Sequence, residues 1–144
     1  MSTRQRGATA VEFALVLLVF LMFLLGILDF SRMLFTWNAA GEATRLGARF
    51  AVVCDDTGNE AQVLTRMRGV LPQINDIEVA WIPAGCSHAD CEGVTVEINN
   101  LDYQWISPIP GIRALPAIRM PRFSTFLPRE VMRQDPHSAA MCSS

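Results

Sequence analysis

From Phe13 to Leu28 this chain carries no polar side chain, and a single carboxylate, Glu12, stands at the head of the run. Counted from Ala8 the stretch holds 21 residues, which as a helix rising about 1.5 Å per residue measures roughly 32 Å, the thickness of a bilayer's hydrocarbon core. A membrane-spanning helix at residues 8–28 is therefore the element the sequence dictates most firmly. A carboxylate inside such a segment costs on the order of 2.5–3.5 kcal/mol at the helix centre and less near the interface. Glu12 consequently calls for a positive partner.

Arg4 and Arg6 precede the run, which keeps the short N-terminus in the cytoplasm and sends the rest of the chain outward. A secretory signal peptide fits less well, because its apolar core is roughly 7–15 residues long. The nearest small-residue cleavage site here, Asn38-Ala39-Ala40, lies beyond Asp29 and Arg32. No cysteine follows closely enough to be lipidated. A cut after Gly7 would instead place a new amine on Ala8, able to pair with Glu12 in the same subunit or in a neighbour. The order of basic leader, Gly7, four residues, Glu12-Phe13 and a long apolar helix resembles the class III leader of type IV pilins and pseudopilins. The competing reading is an uncleaved signal anchor in which Gly7 and Glu12 are incidental.

With 144 residues, the chain has room for one exported domain of about a hundred. The net charge of -2 becomes -4 if Arg4 and Arg6 are removed, leaving ten arginines against 14 acids. That balance offers no basic face for nucleic acid. Cys54, Cys86, Cys91 and Cys142 all follow the span, as suits an oxidising compartment. They allow three pairings. Nearness favours Cys86 with Cys91 across a loop, leaving Cys54 and Cys142 to tie the tail to the helix. A zinc reading of Cys86, His88 and Cys91 with Cys142 or His137 lacks the paired C-x-x-C units that make such sites convincing.

Catalytic patterns are equally sparse. The two histidines fall in loop sequence, and there is no G-x-S-x-G or Gly-rich phosphate loop, so a grouping of His88 with Asp90 or Cys91 stays undeveloped. We expect no catalytic residue, no metal and no cofactor. Asp55-Asp56 reads as a solvated turn rather than a calcium site. Trp81, Tyr103 and Trp105 read as sheet core rather than a sugar platform, although an adhesive role for the domain stays open. Asp29 and Arg32, three apart, read either as an intrahelical pair at the headgroups or as a contact between subunits.

Helical spacing continues past the membrane. Phe35, Ala39, Ala43, Leu46, Phe50 and Val53 recur every three or four residues, with Asn38, Glu42, Arg45 and Arg49 opposite. Cys54-Asp55-Asp56-Thr57-Gly58 breaks the pattern, and Thr57 with Glu60 has capping-box spacing for a short second helix whose apolar face is Val63, Leu64, Met67 and Val70. The period then changes to two. Ile77, Val79 and Trp81 predict one strand, and Val94, Val96 and Ile98 another, joined as an antiparallel hairpin by the turn residues between them. Tyr103 and Trp105 read as a continuation of the second strand after an irregularity. A proline-rich connection from Ser107 to Pro116 leads to a weaker strand, Ala117 to Phe126, carrying Ile118, Met120, Phe123 and Phe126.

Asp29-Phe30-Ser31-Arg32, Asn38-Ala39-Ala40, Gly47-Ala48-Arg49-Phe50-Ala51-Val52 and Val94-Thr95-Val96-Glu97, with a proline-rich segment before a final strand, resemble the TadE-like family of pseudopilins or minor pilins of the tight adherence (Tad) machinery. The resemblance implies an α+β, pilin-like fold: a long transmembrane and amphipathic N-terminal helix, a short helix and a small antiparallel sheet. It implies a leader at 1–7, membrane helix at 8–28, amphipathic continuation at 29–54, a periplasmic domain at 55–128 and a tail at 129–144. It further implies cleavage between Gly7 and Ala8 by a prepilin peptidase. The implied partners are other pilins or pseudopilins, an inner-membrane assembly platform with its secretion ATPase, and the lipid bilayer. The location implied is the bacterial inner membrane, crossed once, with the C-terminal domain periplasmic and the protein available for incorporation into a pilus.

Overall fold

A computed structural model describes residues 5–54, 60–87, 90–106, 116–129 and 142. The layout is α+β: a long helix α1 (Gln5–Cys54), a short helix α2 (Glu60–Val70), and strands β1 (Asp76–Ile82), β2 (Gly93–Asn99), β3 (Asp102–Tyr103), β4 (Ile118–Arg119) and β5 (Phe123–Pro128). The chain forms two compact units, Met1–Leu34 with Gln104–Ala117, and Phe35–Tyr103 with Ile118–Ser144.

In the second unit the hydrophobic effect gathers β2 into the centre of an antiparallel sheet of order β1-β2-β5. Trp81 pairs with Val94, Ile77 with Ile98, and Val96 with Thr125. Val94, Val96 and Ile98 are buried, while Thr95, Glu97 and Asn99 on the other face are half-buried, as period-two alternation requires. Glu97 takes the Arg122 guanidinium at 3.3 Å on that outer face. β3 and β4 make a separate two-stranded pair, Asp102 opposite Arg119. Asn100 at φ 54° turns the chain out of β2, a left-handed conformation that asparagine tolerates.

Two readings of the strands change. Tyr103 lies in β3, not in an extension of β2, and Trp105 lies in no strand. The weak final strand is divided: Ile118–Arg119 pairs with β3, Phe123–Pro128 pairs with β2, and Pro121 between them cannot donate to a ladder. Met120 instead gives its N–H to Leu101 at 2.9 Å. Phe123 and Phe126 are three apart and so occupy opposite faces. Phe123 meets Trp37 edge-on at 5.2 Å, while Phe126 is 52% exposed.

α2 has Glu60 in its first turn and Arg68 in its last, the signs the helix dipole favours. Arg68 Nε donates to the Ile74 carbonyl at 2.8 Å, satisfying the turn that follows the helix. Thr57 lies outside the described residues. Its expected capping partner, Glu60, accepts the Val79 N–H at 3.1 Å.

The inward face of residues 35–54 combines many small side chains with the buried Phe50 and Val52. Ala39, Ala40, Ala43, Thr44, Gly47, Ala48 and Ala51 are buried. Phe35 and Leu46, expected on that face, are 70% and 41% exposed. Close approach is the reason: a Cβ on Gly47 would lie 2.5 Å from Met67 Sδ and 3.3 Å from Val63 Cγ1 of α2. Thr44 Oγ1 donates to the Gly41 carbonyl and lies 2.8 Å from Thr125 Oγ1 of β5. Removing one such part-buried bond costs about 1 kcal/mol, and more where the partner is left unsatisfied. Thr44→Val should therefore lower the urea midpoint of the second unit by an equivalent of about 1–2 kcal/mol; an unchanged midpoint would show that Thr125 finds water instead.

Candidate processing and assembly site

The first unit presents the residues singled out at the leader. Gly7, Ala8, Glu12 and Phe13 all lie on α1, which begins at Gln5. Gly7 is the third residue of the described helix. A Cβ on Gly7 would meet nothing within 4 Å. The fold of this chain thus makes no demand for glycine there. The same is true of Gly26 and Gly41, so what distinguishes Gly7 is its place between the arginines and Glu12.

Ala8 and Glu12 are four residues apart, on one face, about 6 Å along the axis. An amine created on Ala8 is within reach of the Glu12 carboxylate of its own helix as well as of a neighbour. Glu12 is exposed, and among the described residues its carboxylate has no hydrogen bond or ion pair. Phe13 is 68% exposed. Farther along, Gly26 opens a notch of about 630 Å³ lined by Val19, Met22, Phe23, Ile27 and Phe30. α1 is the one described helix long and apolar enough to cross a membrane, with a mean hydropathy of 2.9 over its most apolar window. It is a candidate membrane anchor.

Asp29 has a contact that sequence reading missed. It is 4% exposed, and its Oδ1 accepts the Ile106 N–H at 3.2 Å, across 77 residues of sequence. Only the position of an acid just past an apolar run could have signalled it, and that signal fits an intrahelical pair equally well.

The cysteines are joined as Cys54–Cys142, with Cα atoms 5.4 Å apart, and Cys86–Cys91, with Cα atoms 5.2 Å apart. Among the described residues no group of three or more His, Cys, Asp or Glu side chains is placed to hold a metal. His88 and His137, named in the zinc and nucleophile readings, lie outside the described residues, as do Asp55 and Asp56. Asp90 accepts the Ser87 hydroxyl at 2.8 Å, closing its own loop. Tyr103 is buried, Trp81 is half-buried with the Arg129 guanidinium 6.0 Å from its ring centroid, and Trp105 is half-buried in the first unit. Trp81 and Tyr103 belong to the second unit and Trp105 to the first. A second groove, about 660 Å³, lies between α1 and α2 of the second unit, with Leu46, Phe50 and Val70 as apolar lining and Arg49 and Arg66 also lining it. The Arg66 guanidinium sits 5.2 Å from the Phe50 ring centroid.

No curated protein and no solved structure matches this chain. The stretch that opens at Gly7, takes in Glu12, the apolar run and Asp29, and ends within the small-residue face at Arg49 matches the family described as TadE-like protein, over residues 7–49.

Proposed function

We propose that this protein is a pseudopilin or minor pilin of a Tad-type (type IVc) pilus or secretion machine, processed after Gly7 and acting as a structural component rather than an enzyme. The TadE-like match that starts at the glycine itself carries the reading. Support comes from an exposed carboxylate five residues later at the head of a bare apolar helix. In this reading a prepilin peptidase cuts between Gly7 and Ala8, Glu12 pairs with an Ala8 amine to set the axial register of adjacent helices, and the run from Phe13 to Leu28 holds the subunit in the inner membrane until assembly. Other pilins or pseudopilins pack along the helix, and an inner-membrane platform with its ATPase drives extraction. A paired charge at low dielectric is worth most where geometry and register are fixed, so Glu12 acts on order of assembly more than on anchoring.

One observation favours an uncleaved, signal-anchored periplasmic binding or adhesion protein. α1 runs without a break through Gly7, so a peptidase must first unwind a turn. The N-terminal sequence and intact mass of the extracted protein, with and without the matching peptidase, decide between the two. A peptidase-dependent start at Ala8 supports the proposal; a start at Met1 or Ser2 in both samples overturns it. In cells that process the protein, Glu12→Gln should leave cleavage intact and sharply reduce subunits recovered in sheared pili or secretion complexes. Unchanged recovery would remove Glu12 from the mechanism.

A further inference from the structure

We propose that residues 104–106 lie in the headgroup region of the membrane, with Asp29 as the positioning residue that holds them there. Two observations within the first unit carry this. Asp29 is 4% exposed on a helix whose neighbours Ile27, Leu28 and Phe30 are 66%, 53% and 56% exposed, and it accepts the Ile106 N–H at 3.2 Å. Leu25 and Met33, four residues to either side, are half-buried on an otherwise bare surface. A stripe about 12 Å long is therefore covered along one face of the helix. Leu25 belongs to the apolar run that ends at Leu28, so the cover reaches about one turn into it.

The inference rests on reading that run as the membrane span. Position 29 is then where hydrocarbon gives way to headgroups, and a chain that meets the helix there shares that depth. Its residues suit the place. Ile106 is 58% exposed and Trp105 is half-buried, and tryptophan is enriched at this interface because its ring is apolar with one polar edge. The Asp29–Ile106 bond also solves a problem on each side: a backbone N–H entering low dielectric needs an acceptor, and a carboxylate at the edge of lipid needs a donor. The occupant of the exposed Ile106 surface is thus the acyl and headgroup boundary of a bilayer.

The test uses the full-length protein in vesicles of phosphatidylcholine and phosphatidylglycerol, with photoreactive benzoylphenylalanine placed singly at Phe20, Ile82 or Ile106. Expected are lipid adducts at positions 20 and 106 and several-fold fewer at 82, an exposed site on the sheet. Asp29→Ala should bring adducts at 106 down to the level of 82, while Asp29→Asn, which keeps a carbonyl acceptor, should retain them; circular dichroism verifies that both variants fold. Adducts at 20 but not at 106 overturn the proposal and leave the span intact. Adducts at neither overturn the span reading and the proposal together. Crosslinks from 106 to a second copy rather than to lipid assign this surface to protein packing and overturn it, and adducts at 106 that survive Asp29→Ala remove Asp29 from its role.

Discussion

Replacing both Cys54 and Cys142 by serine should cost the second unit about 4–5 kcal/mol of stability, because the bond joins residues 88 apart and the loop-closure entropy of an unfolded chain grows with the logarithm of that separation. The Cys86–Cys91 bond closes a separation of only 5, and on the same scale its removal costs about 2 kcal/mol. Domains of this size have about 5–15 kcal/mol in total, so the first loss is of the order that unfolds a fraction of molecules at growth temperature. Urea titrations of the two double-serine variants in detergent, followed by tryptophan fluorescence, should show the Cys54/Cys142 variant with much the lower midpoint. Equal midpoints would mean that the reduced chain keeps the tail near the helix through other contacts, and the entropic account would fail.

The second large effect is expected at Gly47. A Cβ there lies 2.5 Å from Met67 Sδ and 2.9 Å from Met67 Cγ, and Met67 is fully buried, so it has little room to retreat. Overpacking a filled core costs about 1–3 kcal/mol and at times more, whereas replacing glycine in a helix gains about 1 kcal/mol from propensity. Gly47→Ala should therefore be mildly destabilising, and Gly47→Leu destabilising by about 3 kcal/mol or more. Gly41 supplies the control: nothing lies within 4 Å of its Cβ position, so Gly41→Ala should stabilise by about 1 kcal/mol. Met67→Ala in the Gly47→Leu background should recover part of the loss, since it empties the space the leucine fills. A Gly47→Leu protein as stable as its parent would show that α1 and α2 can separate without penalty.

Gly47 also shows where the sequence was legible and where it was not. Periods of 3.6 and 2 were strong enough to place α1, α2, β1 and β2, because burial on one face leaves a large and regular pattern. The inward face of residues 35–54 was read correctly at Ala39, Ala43 and Phe50, which are buried, and wrongly at Phe35 and Leu46, which are exposed, because large apolar side chains dominate such a pattern. Ala40, Gly47 and Ala48 face the core as well, since only small residues allow α2 and β5 to come as close as they do. The same weakness hid the division of the last strand, where Phe123 and Phe126 were grouped by proximity although a strand puts them on opposite faces. Near the N-terminus, Gly7, Glu12 and the apolar run could be read from residue type alone, since a charge beside a long apolar run needs no tertiary partner to be conspicuous. Asp29 could not be read in this way. Its acceptor role depends on a backbone N–H 77 residues away, and a backbone group has no signature in sequence.

The carboxylate of Glu60 on the Val79 N–H has a consequence for crowding. β1 and β5 are the outer strands of the three-stranded sheet, and outer strands are templates on which other chains can polymerise. On β1 an acidic side chain already occupies an outward N–H, and β5 ends in Pro128, which has none to offer. Both borders of the sheet are therefore poor seeds for amyloid-like growth. Copies of this protein at high local concentration can therefore meet without their sheets annealing into an aggregate.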